Sequence, residues 1–409
     1  MLNYVNSGKK KIGWLPYPSS LRMLSWTRFL SRFPKAPIEI FVALAEDAAW
    51  LYRFPEYQLD GNHLWENGLA LLVAGQFLEN RKFKERGEQI LRSCIAEQIL
   101  ADGGHAEGSP MYQSLLLWRL LQGIELMGHL AESEPELLTF LKENAGRMLS
   151  WLRQMSFSNG TWPMTNDSAF GIAPDTKTVV EYANKLGVLS AELPLSASGY
   201  RMIKNGRMEI FVDVAPIQPS YQPGHSHADT GNFCLYLDGN PIVIDLGVST
   251  YEVGNRRAYE RSTAAHNVSR IGNDNSSDVW KSFRVGKRAK ILAVSELGNN
   301  ITLLYKDCCG NRFERSFSWM QNRLIIKDNL VNLKAKIFSG QLHFHPSIEL
   351  EKLSDSSVKG GDCFFEFIGC ERVEIFEYYY PETFNKTIIS HGVKYKSANA
   401  ELLVELNFG

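Results

Sequence analysis

Cysteine is scarce and unpatterned in this 409-residue chain. The six thiols at positions 94, 234, 308, 309, 363 and 370 form no C-x-x-C pair. That density excludes a disulfide scaffold; the thiols read as mostly buried, and the redox compartment stays open. Charge of one sign is missing too. Lys and Arg number 44 against 45 Asp and Glu, a net charge of −1, so no global basic field exists for nucleic acid. Long apolar runs are absent: stretches such as "LALLVAG" are too short to span a bilayer. The Lys-rich start "MLNYVNSGKKKIGW" has no apolar region after it, so no signal peptide is read there. No strict repeat motif appears, which disfavours a TPR or HEAT solenoid.

What is present is a globular composition, 44% hydrophobic and 22% charged, on a chain long enough for two or three domains. Two hydrophobic periods divide it. Residues 36–190 carry five stretches of close to twenty residues, such as "NHLWENGLALLVAGQFLE" and "MYQSLLLWRLLQGIELMGHLAE". Apolar residues recur there at three and four, and the linkers are short, which predicts antiparallel helical hairpins in an arc or toroid. Near Ala197 the period becomes two. Hairpins are predicted at Asn205-Gly206 and at Asp238-Gly239-Asn240, followed by further strand pairs to the end. The expected domains are 1–195, helical, and 196–409, an antiparallel sandwich, with "SAELPLSASG" as the boundary.

Polar clusters interrupt both patterns. "GHSHADTGNF" puts His225 and His227 on one side of an extended segment. Asp245 ends the apolar strand "IVIDLG", and His266 stands in "TAAHNV". His227, Asp245 and His266 would make a zinc-type set with one position open; a turn with unrelated histidines fits the spacing as well. In the helical half Asn62, His63 and Glu66 fall within one helical turn, where Asn62 is equally a plain cap. "ADGGHAEGSPMYQ" places Tyr112 in the first turn of a long helix, behind Ser109 and Pro110, with His105 and Glu107 on the Gly-rich loop before it. The helix dipole would favour a phenolate there, although most tyrosines only pack. "NRRAYER", with Arg261, would hold acidic groups or be a solvated loop. Seven of the nine tryptophans lie in the first 162 residues, suited to sugar stacking or to a helical core.

Taken in order, "WLPYPSSLRMLSW", "NHLWENG", "DGGHAEGSPMYQ", "GHSHADTGNF", "VIDLG" and "YERSTAAHNV" resemble the heparinase II/III-like polysaccharide lyases, a group that includes oligoalginate lyases. The resemblance covers most of residues 14–270 and, by pattern, the β tail. It implies an incomplete (α/α) toroid followed by an antiparallel β-sandwich, with catalysis in the cleft between them. It implies Tyr112 as the catalytic tyrosine, Asn62 and His63 facing a substrate carboxylate, and His225 as the catalytic histidine of the H-x-H. It further implies His227, Asp245 and His266 as ligands of one zinc ion, structural in role. Glu66 matches an acidic position of some members. Members often carry more sequence ahead of the first motif, so a part of the cleft wall or a targeting segment is expected to be missing here.

The residue types suit β-elimination on a uronic acid. That reaction needs hydrogen bonds to the carboxyl group, a base for the C5 proton and an acid for the departing O4. Glu66, His105 and Arg261 are expected to bind substrate. The expected partner is an acidic polysaccharide or oligosaccharide; a periplasmic or secreted place would suit it, and the oligomeric state stays open. Rivals of two kinds, metal enzymes and a non-catalytic binder, stand beside this reading. "HSHAD" is similar to the H-x-H-x-D-H motif of metallo-β-lactamase-like hydrolases, but Thr230 stands where the last histidine belongs, and a cupin-like metal enzyme leaves Asp245 unexplained. A non-catalytic carbohydrate-binding protein of surface-polysaccharide metabolism is the other.

Overall fold

A computed structural model describes residues 12–130, 134–331, 338–397 and 399–408. The Lys-rich start read for a leader lies outside the described residues. Contacts divide the chain into two compact units, one of Met1–Ala106, Tyr112–Ser150 and Lys177–Leu193, the other of Glu107–Met111, Trp151–Thr176 and Pro194–Gly409.

The helical region has the form expected for an incomplete (α/α) toroid. Its helices are α1 (Pro16–Arg32), α2 (Ile38–Arg53), α3 (Gly61–Phe77), α4 (Arg81–Gln98), α5 (Pro110–His129), α6 (Pro135–Gln154) and α7 (Thr176–Lys185). Helix α1 carries most of the "WLPYPSSLRMLSW" stretch and lies ahead of the helices that the periodicity predicts. Its Pro16 sits at the first helical position, where a missing N–H costs nothing, and Met23, Leu24, Trp26 and Leu30 are buried. Helix α3 is apolar on all sides and buried along almost its whole length, as an inner helix must be. It meets α4 backbone to backbone: a Cβ on Gly87 would lie 2.2 Å from the Leu72 nitrogen. Helices α3 and α5 run parallel. Glu66 meets Arg119 at 3.4 Å, and three residues later Leu69 presses on Gly123, where an added Cβ would come within 2.6 Å. Their N-termini therefore share one end.

The β region is an antiparallel sandwich. One sheet runs β1 (Tyr200–Asn205), β2 (Met208–Asp213), β3 (Phe233–Leu237), β4 (Asn240–Val243) in order. The turn between β3 and β4 is the predicted one, with Asp238 and Gly239 both at positive φ, 50° and 75°. An eight-stranded sheet is ordered Leu350–Lys352, Ser357–Gly360, Cys363–Ile368, Glu401–Phe408, Arg323–Leu330, Arg312–Met320, Asn300–Lys306, Lys290–Glu296. A further sheet joins Arg372–Thr383, Lys386–Ser397, Phe338–His343 and Ser269–Ile271.

Strand β3 shows why the pattern works. Phe233, Leu235 and Leu237 pack into the main sandwich core with Leu303, Phe317 and Ile326. Cys234 and Tyr236, on the other face, pack with Trp151, Met155 and Phe157. That second core draws the 151–176 segment into the β unit. No helix among the described residues is long and apolar enough to cross a membrane.

Candidate active site

The helical unit offers Asn62, His63 and Tyr112 at helix starts. Asn62 is the second residue of α3 and not its cap; Asp60, at φ 54°, holds that position. Asn62 and Tyr112 are 6% and 7% exposed. His63 is half-buried, its ring 4.5 Å from that of Tyr17 and its Nδ1 3.2 Å from Glu56 Oε2. Tyr112 is the third residue of α5, so it and the Asn62–His63 pair occupy the shared N-terminal end of two parallel helices.

Two residues expected to bind substrate are deeply buried. Glu66 is fully buried one turn deeper in α3, its carboxylate without a hydrogen bond and 3.4 Å from the Arg119 guanidinium. Burial, only partly offset by Arg119, pushes its pKa up to about 7. His105 is 2% exposed; its Nε2 lies 3.0 Å from Gln98 Oε1 and its N–H donates to Gln113 Oε1 at 2.6 Å. Both side chains are buried, Glu66 one turn along α3 from Asn62 and His105 in the loop before α5.

In the β unit the H-x-H lies in a loop before β3, and the structure gives its two rings one partner that the sequence did not reveal. Asp167, from the 151–176 segment, is fully buried. Its Oδ2 is 2.8 Å from His225 Nδ1 and its Oδ1 2.9 Å from His227 Nε2. Arg257, also fully buried, donates to both oxygens, with NH2 2.8 Å from Oδ2. Burial alone would raise the Asp167 pKa, but Arg257 and the two imidazoles hold it well below the carboxylate range. The His225 Nε2 is 3.9 Å from Glu107. Arg261, the expected substrate arginine, is 1% exposed, and its two terminal nitrogens donate to the carbonyls of Ser226, Trp280, Lys281 and Arg284. It pins loops together, and burial with the nearby Arg257 lowers its pKa to about 10.

Asp245 and His266 come together. Asp245 follows β4, and His266 Nδ1 lies 2.7 Å from its Oδ1. Asp229, two residues beyond His227, joins them: ligand atoms of Asp229, Asp245 and His266 lie within 4.8 Å of one another, all buried. His227 is outside that tightest trio but adjoins it, its ring centroid 5.4 Å from that of His266. The set suits a cation. His227 Nδ1 and His266 Nε2 are buried ligand atoms with no hydrogen-bond partner. Burial, with Asp245 nearby, raises Asp229 to about 6, and burial lowers His227 to about 3, so the imidazole is neutral as a ligand must be. Two imidazoles and two carboxylates are a donor set of zinc type.

Comparison with known proteins finds relatives for both parts of the chain. Residues 5–186 match the family model described as heparinase II/III N-terminus, and residues 190–362 that described as heparinase II/III-like, C-terminal. The heparin-sulfate lyase of Bacteroides thetaiotaomicron is 24% identical over 323 residues, covering 66% of this chain and 46% of that protein. The heparin-sulfate lyase of Pedobacter heparinus is 25% identical over 334 residues, covering 72% and 48%. The chain thus spans about half the length of the curated relatives it matches. Among solved structures, heparinase III superposes with a TM-score of 0.78 at 18% identity, over 99% of this chain and 71% of that one. Heparan sulfate lyase HepC from Pedobacter heparinus gives 0.67 at 17%, over 97% and 68%.

Proposed function

Since the chain belongs to the heparinase II/III-like family, we propose that it is a polysaccharide lyase that cleaves an acidic, uronate-containing glycan by β-elimination. The observation that carries this reading is the placement of Asn62, His63 and Tyr112 at one end of two parallel helices. It supplies amide, imidazole and phenol donors where the helix dipoles favour negative charge.

In this reading His225 is the catalytic histidine, and Asn62 and His63 donate hydrogen bonds to the uronate carboxyl group. Charge grows there as the C5 proton leaves, so these bonds strengthen toward the transition state. Tyr112 removes the C5 proton as a phenolate. The C5–H electrons form the C4=C5 bond, the C4–O4 bond breaks, and the tyrosine returns the proton to O4. A zinc ion would be held by His227, Asp245 and His266, with Asp229 beside them. Its contribution would be structural, tying the loop before β3 to the segment after β4. The low exposure of this cluster, 3% for Asp229, 1% for Asp245 and none for His227 and His266, supports that role over hydrolysis, which needs a metal-bound water in reach of substrate.

The test is Tyr112→Phe. It deletes one oxygen and keeps the ring, so thermal melting should hardly move while turnover falls by roughly 10²–10⁴-fold, the size of a lost general acid/base. Wild-type turnover in Tyr112→Phe would leave Tyr112 a packed aromatic. Glycan binding without any cleavage by the wild type would favour the non-catalytic binding protein.

A further inference from the structure

Asp167 lies outside every motif of the sequence, and its buried partner Arg257 stands in "NRRAYER". Four nitrogens converge on the two oxygens of one buried carboxylate: His225 Nδ1 at 2.8 Å, His227 Nε2 at 2.9 Å, and the two terminal nitrogens of Arg257. An ionised carboxylate only accepts, so each imidazole nitrogen facing it carries its proton. Arg257 is itself fixed. It donates to the Ser282 carbonyl from Nε at 3.1 Å and from a terminal nitrogen at 2.7 Å. Its guanidinium packs over Tyr251 and Phe283, 5.3 and 5.5 Å from the ring centres. The same two rings flank His225, at 6.3 and 5.8 Å. The backbone repeats the pairing, since Asp167 N–H donates to the His225 carbonyl at 3.1 Å and His227 N–H to Asn166 Oδ1 at 2.9 Å.

We infer that Asp167, braced by Arg257, is a positioning residue that keeps His225 Nδ1 and His227 Nε2 as proton donors and so dedicates His225 Nε2 to substrate and His227 Nδ1 to the metal. One carboxylate thereby couples the catalytic histidine to the metal site. His227 Nδ1 is the ring atom left buried without a protein partner, as a ligand atom should be. The inference rests on the roles given above to His225 and His227. Asp167→Asn breaks the arrangement without changing its shape, because an amide offers one acceptor and one donor where the carboxylate offered two acceptors. One imidazole must then turn from donor to acceptor, and Arg257 loses its counter-charge.

The test begins with the wild type, before any substrate is added. A long-range proton–nitrogen correlation spectrum of the metal-free protein should show His227 protonated at Nε2 and bare at Nδ1. In Asp167→Asn that pattern should be lost for one of the two rings. Zinc affinity, measured by competition with a chromophoric chelator, and turnover should each fall by roughly 10–100-fold, the range for a residue that orients a metal-bound histidine. KM should stay within a few-fold, which a general loosening of the fold would not produce. A proton on His227 Nδ1 in the wild type overturns the inference, whether or not the variant folds. Unchanged zinc affinity in a folded Asp167→Asn overturns it as well. If the wild type cleaves no glycan, the lyase reading fails, while the spectrum and the zinc competition still decide the role of Asp167.

Discussion

Replacing Glu66 by glutamine should stabilise the protein above neutral pH and change nothing in acid. Glu66 is fully buried without a hydrogen bond, and the Arg119 guanidinium lies 3.4 Å from it. Burial raises its pKa from 4.5 to about 7. Each tenfold in proton affinity is about 1.4 kcal/mol, so the native ion is disfavoured by about 3 kcal/mol relative to the unfolded chain. The sign follows from linkage. Below the unfolded pKa both states hold the proton and the stability is complete. As pH rises toward 7 the unfolded chain releases its proton first, and stability falls until the folded pKa is passed. Glutamine has no proton to release. Urea unfolding followed by tryptophan fluorescence measures this directly, because Trp14, Trp26, Trp50, Trp65 and Trp118 all lie in the helical unit, Trp65 beside Glu66. At about pH 8 Glu66→Gln should exceed the wild type by about 3 kcal/mol, and at about pH 4 the two should coincide. Equal pH dependence in both proteins would refute the buried, unsolvated carboxylate. A selective loss of substrate affinity would restore Glu66 to the binding site.

Three further outcomes are expected. His227→Ala should lose the metal that the wild type retains at close to one equivalent in metal analysis, and chelation of the wild type should lower its melting temperature before it changes catalysis. A wild type that is metal-free without chelator treatment contradicts the site. Arg261→Ala should destabilise by about 2 kcal/mol or more in denaturant titration, since its charged donors tie the carbonyls of Ser226 and of the 280–284 loop. A change in glycan affinity alone would place it at the substrate. Gly247→Ala should destabilise by about 2 kcal/mol or more, because Gly247 sits at φ 63° and a Cβ there would lie 2.2 Å from the Ser168 carbonyl; wild-type melting would show that the 167–168 segment yields freely.

The change of period near Ala197, the hairpin turns at Gly206 and Gly239 and the inner helices were legible because each is a local signal. The hidden parts depend on tertiary contact. Asp167 stands in "TNDSAFG", a polar stretch with neither periodicity nor motif, and acquires its role when 151–176 packs on β3. Asp229 was visible inside "HSHAD", but the alternation of an extended strand pointed to His227, and the loop that forms instead brings Asp229 to Asp245 and His266. Arg257 and Arg261 lie one helical turn apart, so the sequence could not tell which one meets a carboxylate and which one meets carbonyls. Glu66 shares a turn with Asn62 and His63, and only the packing of α3 against α5 shows it to be interior.

The claim of β-elimination is tested most directly by digesting acidic polysaccharides with the wild type in heavy-oxygen water and examining the products by mass spectrometry and ultraviolet absorbance. Elimination makes each new non-reducing end a uronate with a C4=C5 double bond and takes up no solvent oxygen. That result is expected with at least one uronate-containing glycan. Saturated products that carry one solvent oxygen per cleaved bond would show hydrolysis and contradict the account.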